Sequence, residues 1–208
     1  MMNILDQIQQ VQRELSDHGA TQSIILTRTF DTSPENLWDV CTSPEQLPHW
    51  FEPVSGELRE GGRYRLDGSG SEGTIQRCEP PSRLSVTWEY EGEVSHVELT
   101  IRETDGRATA RLEHLVPVDD HWETYGPAAT GVGWDSAFLS LTLYLAGDPR
   151  GEPSEMEAFS ASQEGIEFVR RTAEAWAQVH IAAGADPAQA RTAAENTIVV
   201  YTGVEQVE

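Results

Sequence analysis

The chain has 208 residues, 38% apolar and 24% charged, which is enough for one sizeable hydrophobic core with an appendage. Its formal net charge is −21, and all 14 basic residues are arginine. That charge repels phosphate backbones and anionic lipid, so it argues against nucleic-acid and membrane partners; it reads as a soluble, self-repelling exterior, with a salt-adapted host as the sharper alternative.

No run of about 18 apolar residues occurs, so no membrane span is expected. The first residues lack the basic and continuous apolar regions of a secretory signal. Cys41 and Cys78 fit no CxxC or metal spacing. Isolated thiols of this kind suit a reducing cytosol, so the expected location is cytoplasmic, with no disulfide, metal or cofactor.

In chain order, Ile4, Ile8, Val11 and Leu15 recur at helical spacing and Gly19 can end a helix. Residues 1–21 are therefore expected to form an N-terminal amphipathic helix. From Gln22 to Phe30 the pattern alternates, with Ile24, Leu26 and Phe30 on one face of a strand. Arg28 shares that face, which places it at the open end of the strand or in a polar spot. Two similar strings follow, Thr32-Ser33-Pro34-Glu35 and Thr42-Ser43-Pro44-Glu45, each with a capping serine, a first-turn proline and an acid at the positive helix end. They predict two short helices ending in the aromatic cluster His49-Trp50-Phe51.

Strands are then expected at Arg63–Asp67, Gly73–Glu79, Arg83–Tyr90, around Val97–Ile101, and at Arg107–Val118. Short turns between alternating strands imply antiparallel neighbours with one packed face. Asp119 to Gly126 reads as a polar loop. The following segment places Trp134, Phe138, Leu141 and Leu145 on one helical face and Leu139 and Leu143 on a second. A helix from Pro127 to Ala146 would be roughly 30 Å long and would cross the sheet. Arg150 to Ser160 reads as a linker. Ile166, Val169, Ala173 and Trp176 line a further helix stopped by Gly184, and Asp186-Pro187 starts another that ends at Gly203. An apolar strip as wide as that of the long helix is an aggregation liability in water. The tail is therefore expected to be ordered, covering its own long helix or that of a neighbouring subunit in a homodimer.

These strings resemble the activator of heat-shock protein 90 ATPase-like family of the START-like (SRPBCC) superfamily. The likeness rests on Ser33-Pro34-Glu35 with Trp38, Ser43-Pro44-Glu45 with His49-Trp50-Phe51, and Gly73 with Glu79-Pro80-Pro81-Ser82-Arg83-Leu84 and Trp88. Gly133-Trp134, Leu139, Leu143 and Tyr144-Leu145 complete it. It covers about Ile24 to Gly147. It implies a helix-grip α+β fold, a curved antiparallel sheet wrapped around a long helix, with a cavity between them that often takes an apolar ligand. Bacterial members commonly consist of this single domain. The expected organisation is an N-terminal helix at 1–21, a START-like domain at 22–148, and a linker with a C-terminal helical extension at 149–208.

Several other patterns carry less. Gly68-Ser69-Gly70-Ser71-Glu72-Gly73 matches GxGxxG, but a strand rather than a helix follows it, and the absence of lysine removes kinase, Walker-loop and Schiff-base chemistry. His114, Asp119, Asp120, His121 and Glu123 cluster without the spacing of a known metal site. No GxSxG elbow is present. The candidate ligand-binding residues are Trp50, Phe51, Trp88, Tyr90, Trp134 and Phe138, with His114 and Arg28 as the polar groups. The same residues are also compatible with a filled core in which the polar groups bond internally. A binding module for a small apolar or aromatic molecule is the leading expectation. A chaperone-regulating, partner-binding protein and a cyclase-like enzyme acting on aromatic compounds are the alternatives.

Overall fold

The computed structural model describes residues 2–203. Its strands are β1 (Gln12–Asp17), β2 (Thr21–Phe30), β3 (Val54–Gly56), β4 (Arg63–Leu66), β5 (Glu72–Glu79), β6 (Arg83–Tyr90), β7 (Glu93–Thr104) and β8 (Arg107–Pro117). The helices are α1 (Ile4–Gln7), α2 (Pro34–Thr42), α3 (Asp120–Tyr125), α4 (Ala128–Leu145), α5 (Pro153–Ser160), α6 (Gln163–Ala182) and α7 (Pro187–Thr202). The strands form one eight-stranded antiparallel sheet in the order β1-β2-β8-β7-β6-β5-β4-β3. This is the helix-grip α+β architecture, with the curved sheet against α4.

Period-two alternation builds the inner face of the sheet. Leu26, Leu112, Leu99 and Leu84 lie in register across β2, β8, β7 and β6. Ile24, His114, Val97 and Val86 form the next row, so His114 is placed on the packed face by its strand position. The 18-residue α4 has no polar face, and Val132, Phe138, Leu139, Leu141 and Leu143 are buried around its circumference. Sheet and α2 cover one side; the N-terminal segment, α6 and α7 cover the other.

The N-terminus differs from expectation. The chain makes one helical turn at α1 and a 3-10 turn at Ile8–Gln10, then pairs with the edge of β2 as β1. Leu15 and Arg13 therefore face inward on a strand, opposite Ile24 and Leu26. The open edge of β2 offers the segment a full ladder of hydrogen bonds, which outweighs its helical spacing. Arg13 Nη1 donates to the carbonyls of Ile8 and Val11, each at 3.0 Å, and so closes the helical turn.

Other segments also depart from the sequence reading. The second Ser-Pro-Glu string forms a turn and a 3-10 turn at Leu47–His49, whose Pro48 cannot supply a helical amide donor. The Asp119–Gly126 loop contains α3, capped where the Asp119 carboxylate accepts the Trp122 amide at 2.9 Å. Arg150–Ser160 is not an open linker: a 3-10 turn at Pro149–Gly151 leads into α5. The tail is helical, as expected, and docks on its own α4. Trp176 is fully buried against Gly131, where any Cβ would overlap the indole. Leu139 and Leu143 pack with Ile4, Ile8 and Phe168 of the same chain. The apolar strip that suggested a neighbouring subunit is thus covered within the chain.

Candidate functional site

On the sheet-facing side, α4 and the strands do not meet everywhere. A cavity of about 250 Å³ lies between them. Trp134, Ala137, Phe138 and Leu141 of α4 form one wall. Trp38, Cys41 and Thr42 of α2, with Leu47, Trp50 and Phe51 of the following turn, form the second. Strands β4 to β8 supply the third, including Tyr64, Cys78, Leu84, Trp88 and Leu99. The lining runs along β6 from Leu84 to Trp88, roughly 13 Å at about 3.3 Å per residue. Leu58 belongs to the lining and is 39% exposed, which puts the mouth beside the β3–β4 connection.

The walls are aromatic and internally braced. Trp88 and Trp134 meet edge to face with centroids 5.6 Å apart, and Phe51 stacks on Trp134 at 6.5 Å. Trp50 Nε1 donates to the Val40 carbonyl at 3.0 Å, and Tyr64 Oη to the Thr87 carbonyl at 2.8 Å. Trp134 Nε1 donates to His114 Nδ1 at 3.0 Å. Since an indole N–H only donates, Nδ1 is the bare nitrogen and Nε2 carries the proton, which it gives to Ser95 Oγ at 2.8 Å. Burial, helped by nearby His96, lowers the His114 pKa to about 4, so the ring is neutral at pH 7. Burial pushes the Cys41 thiol up to about 12; burial and then the Glu60 carboxylate raise Cys78. Both sulfurs are therefore thiols rather than nucleophilic thiolates at neutral pH.

The candidate residues fall into three groups. Trp50, Phe51, Trp88, Trp134 and Phe138 line the cavity. His114 stands behind Trp134 and orients its indole. Tyr90 and Arg28 stand apart from the lining. Tyr90 is on the inner face of β6, but at the hairpin tip beyond the cavity, and is 51% exposed. Arg28 is buried on the far side of the β8 row: its Nη2 donates to Gln7 Oε1 at 2.6 Å and its guanidinium lies 5.4 Å from the Phe30 ring centroid. Burial lowers its pKa to about 10 while Asp135 opposes that shift. Arg28 faces the N-terminal segment and Asp135, not the cavity. There, Asp135 accepts from Arg13 at 2.6 and 3.0 Å and from Trp176 Nε1 at 2.9 Å. Burial raises the Asp135 carboxyl, against the pull of Arg13 and Trp176.

Sequence reasoning passed over Trp38, Tyr64, Cys41 and Cys78 as lining residues. Trp38 follows the first Ser-Pro-Glu string on α2, and its place on the inner side of that helix was open to a periodicity argument. Tyr64 is readable only through its partner: it pairs with Gly73, whose missing side chain leaves room for the phenol ring. The GxGxxG stretch is the turn after β4 and the first two residues of β5. Of the acid-rich cluster, Asp119 caps α3, His121 packs on Tyr125, and His114 lies on the sheet. Among the described residues, no three His, Cys, Asp or Glu side chains gather as a metal site, and no helix is long and apolar enough to cross a membrane.

The family model described as activator of Hsp90 ATPase homolog 1-like protein matches residues 31–146. The crystal structure of CalU16 from Micromonospora echinospora is 33% identical over 81% of this chain and 97% of that chain, with a TM-score of 0.66. Its solution structure gives 32% identity, 84% and 97% coverage and a TM-score of 0.69. DynU16, described as a putative protein in the dynemicin biosynthetic locus, is 23% identical over 64% of this chain and 49% of that chain, at a TM-score of 0.55. The Aha1 dimer from Colwellia psychrerythraea is 16% identical over 61% and 97%, at a TM-score of 0.50. These last two likenesses bear on the fold alone. No curated protein matches the sequence.

Proposed function

The chain belongs to the activator of Hsp90 ATPase homolog 1-like family, and from that premise we propose that it is a binding module for a small, ring-containing apolar molecule held between sheet and α4. The observation that carries this reading is the braced aromatic cavity of about 250 Å³. A filled core closes such space, because each void loses dispersion contacts. Here Trp50, Tyr64 and Trp134 are fixed by hydrogen bonds to their own surroundings, so the walls resist collapse. The volume lies just under the roughly 300–1,000 Å³ of ordinary ligand pockets, which points to one compact ligand. The site offers no activated nucleophile, since its thiols are protonated and its histidine is neutral and committed to Trp134 and Ser95. Binding rather than catalysis is what the geometry favours.

The test is native mass spectrometry of the purified protein, followed by titration with uncharged fluorescent ring compounds. Stoichiometric binding that quenches tryptophan emission is expected. A folded protein that binds none of them has a filled core, and the reading fails. Chaperone regulation is a second reading, favoured by the family's own description. Co-purification of an Hsp90-type ATPase, with a change in its turnover, is its test.

A further inference from the structure

The lining residues include four tryptophans and two cysteines but no charged side chain. The chain carries 14 arginines and 35 acids, so this is a local exclusion within a highly charged protein. Arg63, Arg65, Arg77, Arg83 and Arg111, which neighbour lining residues in sequence, are paired with Glu72, Glu89, Glu79, Glu98 and Glu113 instead, and Arg28 is held beyond β8 by Gln7 and Phe30. In the connection that carries Leu58, Glu57 pairs with Arg59 and Glu60 accepts the Cys78 amide at 3.2 Å. The wall has few donors to give. The indoles of Trp50 and Trp134 and the phenol of Tyr64 are hydrogen-bonded inside the protein, which leaves the indole N–H groups of Trp38 and Trp88.

We infer that the cavity is a charge filter: it admits uncharged ring compounds and rejects carboxylates and amines alike. This rests on the binding reading above and names its ligand class. An ion entering the cavity must shed its hydration and finds no counter-charge and at most two indole N–H groups to replace it, so its desolvation is largely uncompensated. The net charge of −21 makes a different prediction, since surface attraction alone would favour cations over neutral molecules. A cation is therefore the discriminating ligand.

Three probes of nearly the same shape make the test: anthracene-2-carboxamide, anthracene-2-carboxylate and 2-(aminomethyl)anthracene. Each is titrated into the full-length protein at pH 7, read by tryptophan quenching, in low salt and in 0.5 M salt. The carboxamide is expected to bind, and both ions to bind at least tenfold more weakly. The gap for the carboxylate should survive high salt, which screens surface charge but not a desolvation cost. An amine that binds as tightly as the carboxamide overturns the filter. So does a carboxylate that recovers full affinity in salt, since its rejection would then come from the surface. If none of the three binds, the binding reading itself fails. If all three bind equally, only the filter does.

Discussion

The tail-facing and sheet-facing sides of α4 carry similar apolar content yet reach opposite packing states. On the tail side, Gly131 lets the Trp176 indole lie against the helix backbone, and Leu139 and Leu143 interlock with Ile4, Ile8 and Phe168. The polar group there, Asp135, is matched by Arg13 and Trp176. On the sheet side, Trp134, Phe138 and Leu141 face other large rings, and a cavity remains. On the tail side a glycine and flexible aliphatic chains close round the tethered Trp176 ring, whereas on the sheet side fixed rings face one another and leave space. Apolar composition does not decide between a filled and an open interior, whereas the residues opposite each other do.

The comparison breaks hardest at Asp135. Asp135→Ala leaves Arg13 buried without its carboxylate, and such a loss costs about 3–5 kcal/mol. Denaturant unfolding should show a much lower midpoint, while any protein that remains folded should still bind the carboxamide probe. An unchanged midpoint would show that α6 does not dock through this network.

The next effect is a pH dependence belonging to the sheet side. His114 titrates at about 4 in the folded protein, against an ordinary value of 6.5. Between these values the unfolded chain binds more protons than the folded one, so acid favours unfolding and stability rises with pH across that window. Above it, the contribution is constant. The full effect is roughly 3 kcal/mol. His114→Asn keeps an acceptor available to Trp134 and removes the titration. Unfolding free energies of the two proteins measured from pH 7 to pH 4 should converge as pH falls, and parallel curves would contradict the buried neutral ring.

Added atoms on each side give a third contrast. Gly131→Ala places a methyl against Trp176 and should cost about 1–3 kcal/mol, the usual penalty for overpacking. Ala137→Leu adds more volume but directs it into the cavity, so its cost should stay below about 1 kcal/mol while probe affinity drops. Thermal melts and titrations on the two variants check both halves; equal destabilisation would mean that both sides are filled.

Much of this was legible in the sequence, and the failures have physical reasons. The sheet and α4 could be read because alternation and helical period are set by burial on a single face, as in Leu84-Val86-Trp88 and Trp134-Phe138-Leu141. The tail could be read because Asp186-Pro187 and Gly203 mark its last helix by local backbone chemistry. β1 could not, since Ile4, Ile8, Val11 and Leu15 keep helical spacing while the edge of β2 claims the later part of the segment. Within the site, strand parity puts Arg28, His114 and Trp88 on one inner face, but parity says nothing of position along the strand or of what stands opposite. That is why Arg28 turns out to bind the N-terminal segment, and why the glycine that seats Tyr64 gave no signal by itself.

Tyr90 is the smallest and most discriminating case. It continues the Leu84-Val86-Trp88 alternation without a break, so period alone makes it equivalent to Trp88. The hairpin, however, carries it past the end of the cavity, next to Glu91 and Gly92 with positive φ of 51° and 92°, and leaves it 51% exposed. A half-exposed side chain at a tip loses little on truncation, so Tyr90→Ala should change stability by less than about 0.5 kcal/mol. Carboxamide affinity should move less than twofold, whereas Trp88→Ala, which removes a wall, should weaken it at least tenfold. Side-by-side titration of the two variants reads this directly. A Tyr90 variant that weakens binding as much as the Trp88 variant would extend the site to the hairpin tip and move its mouth there from Leu58.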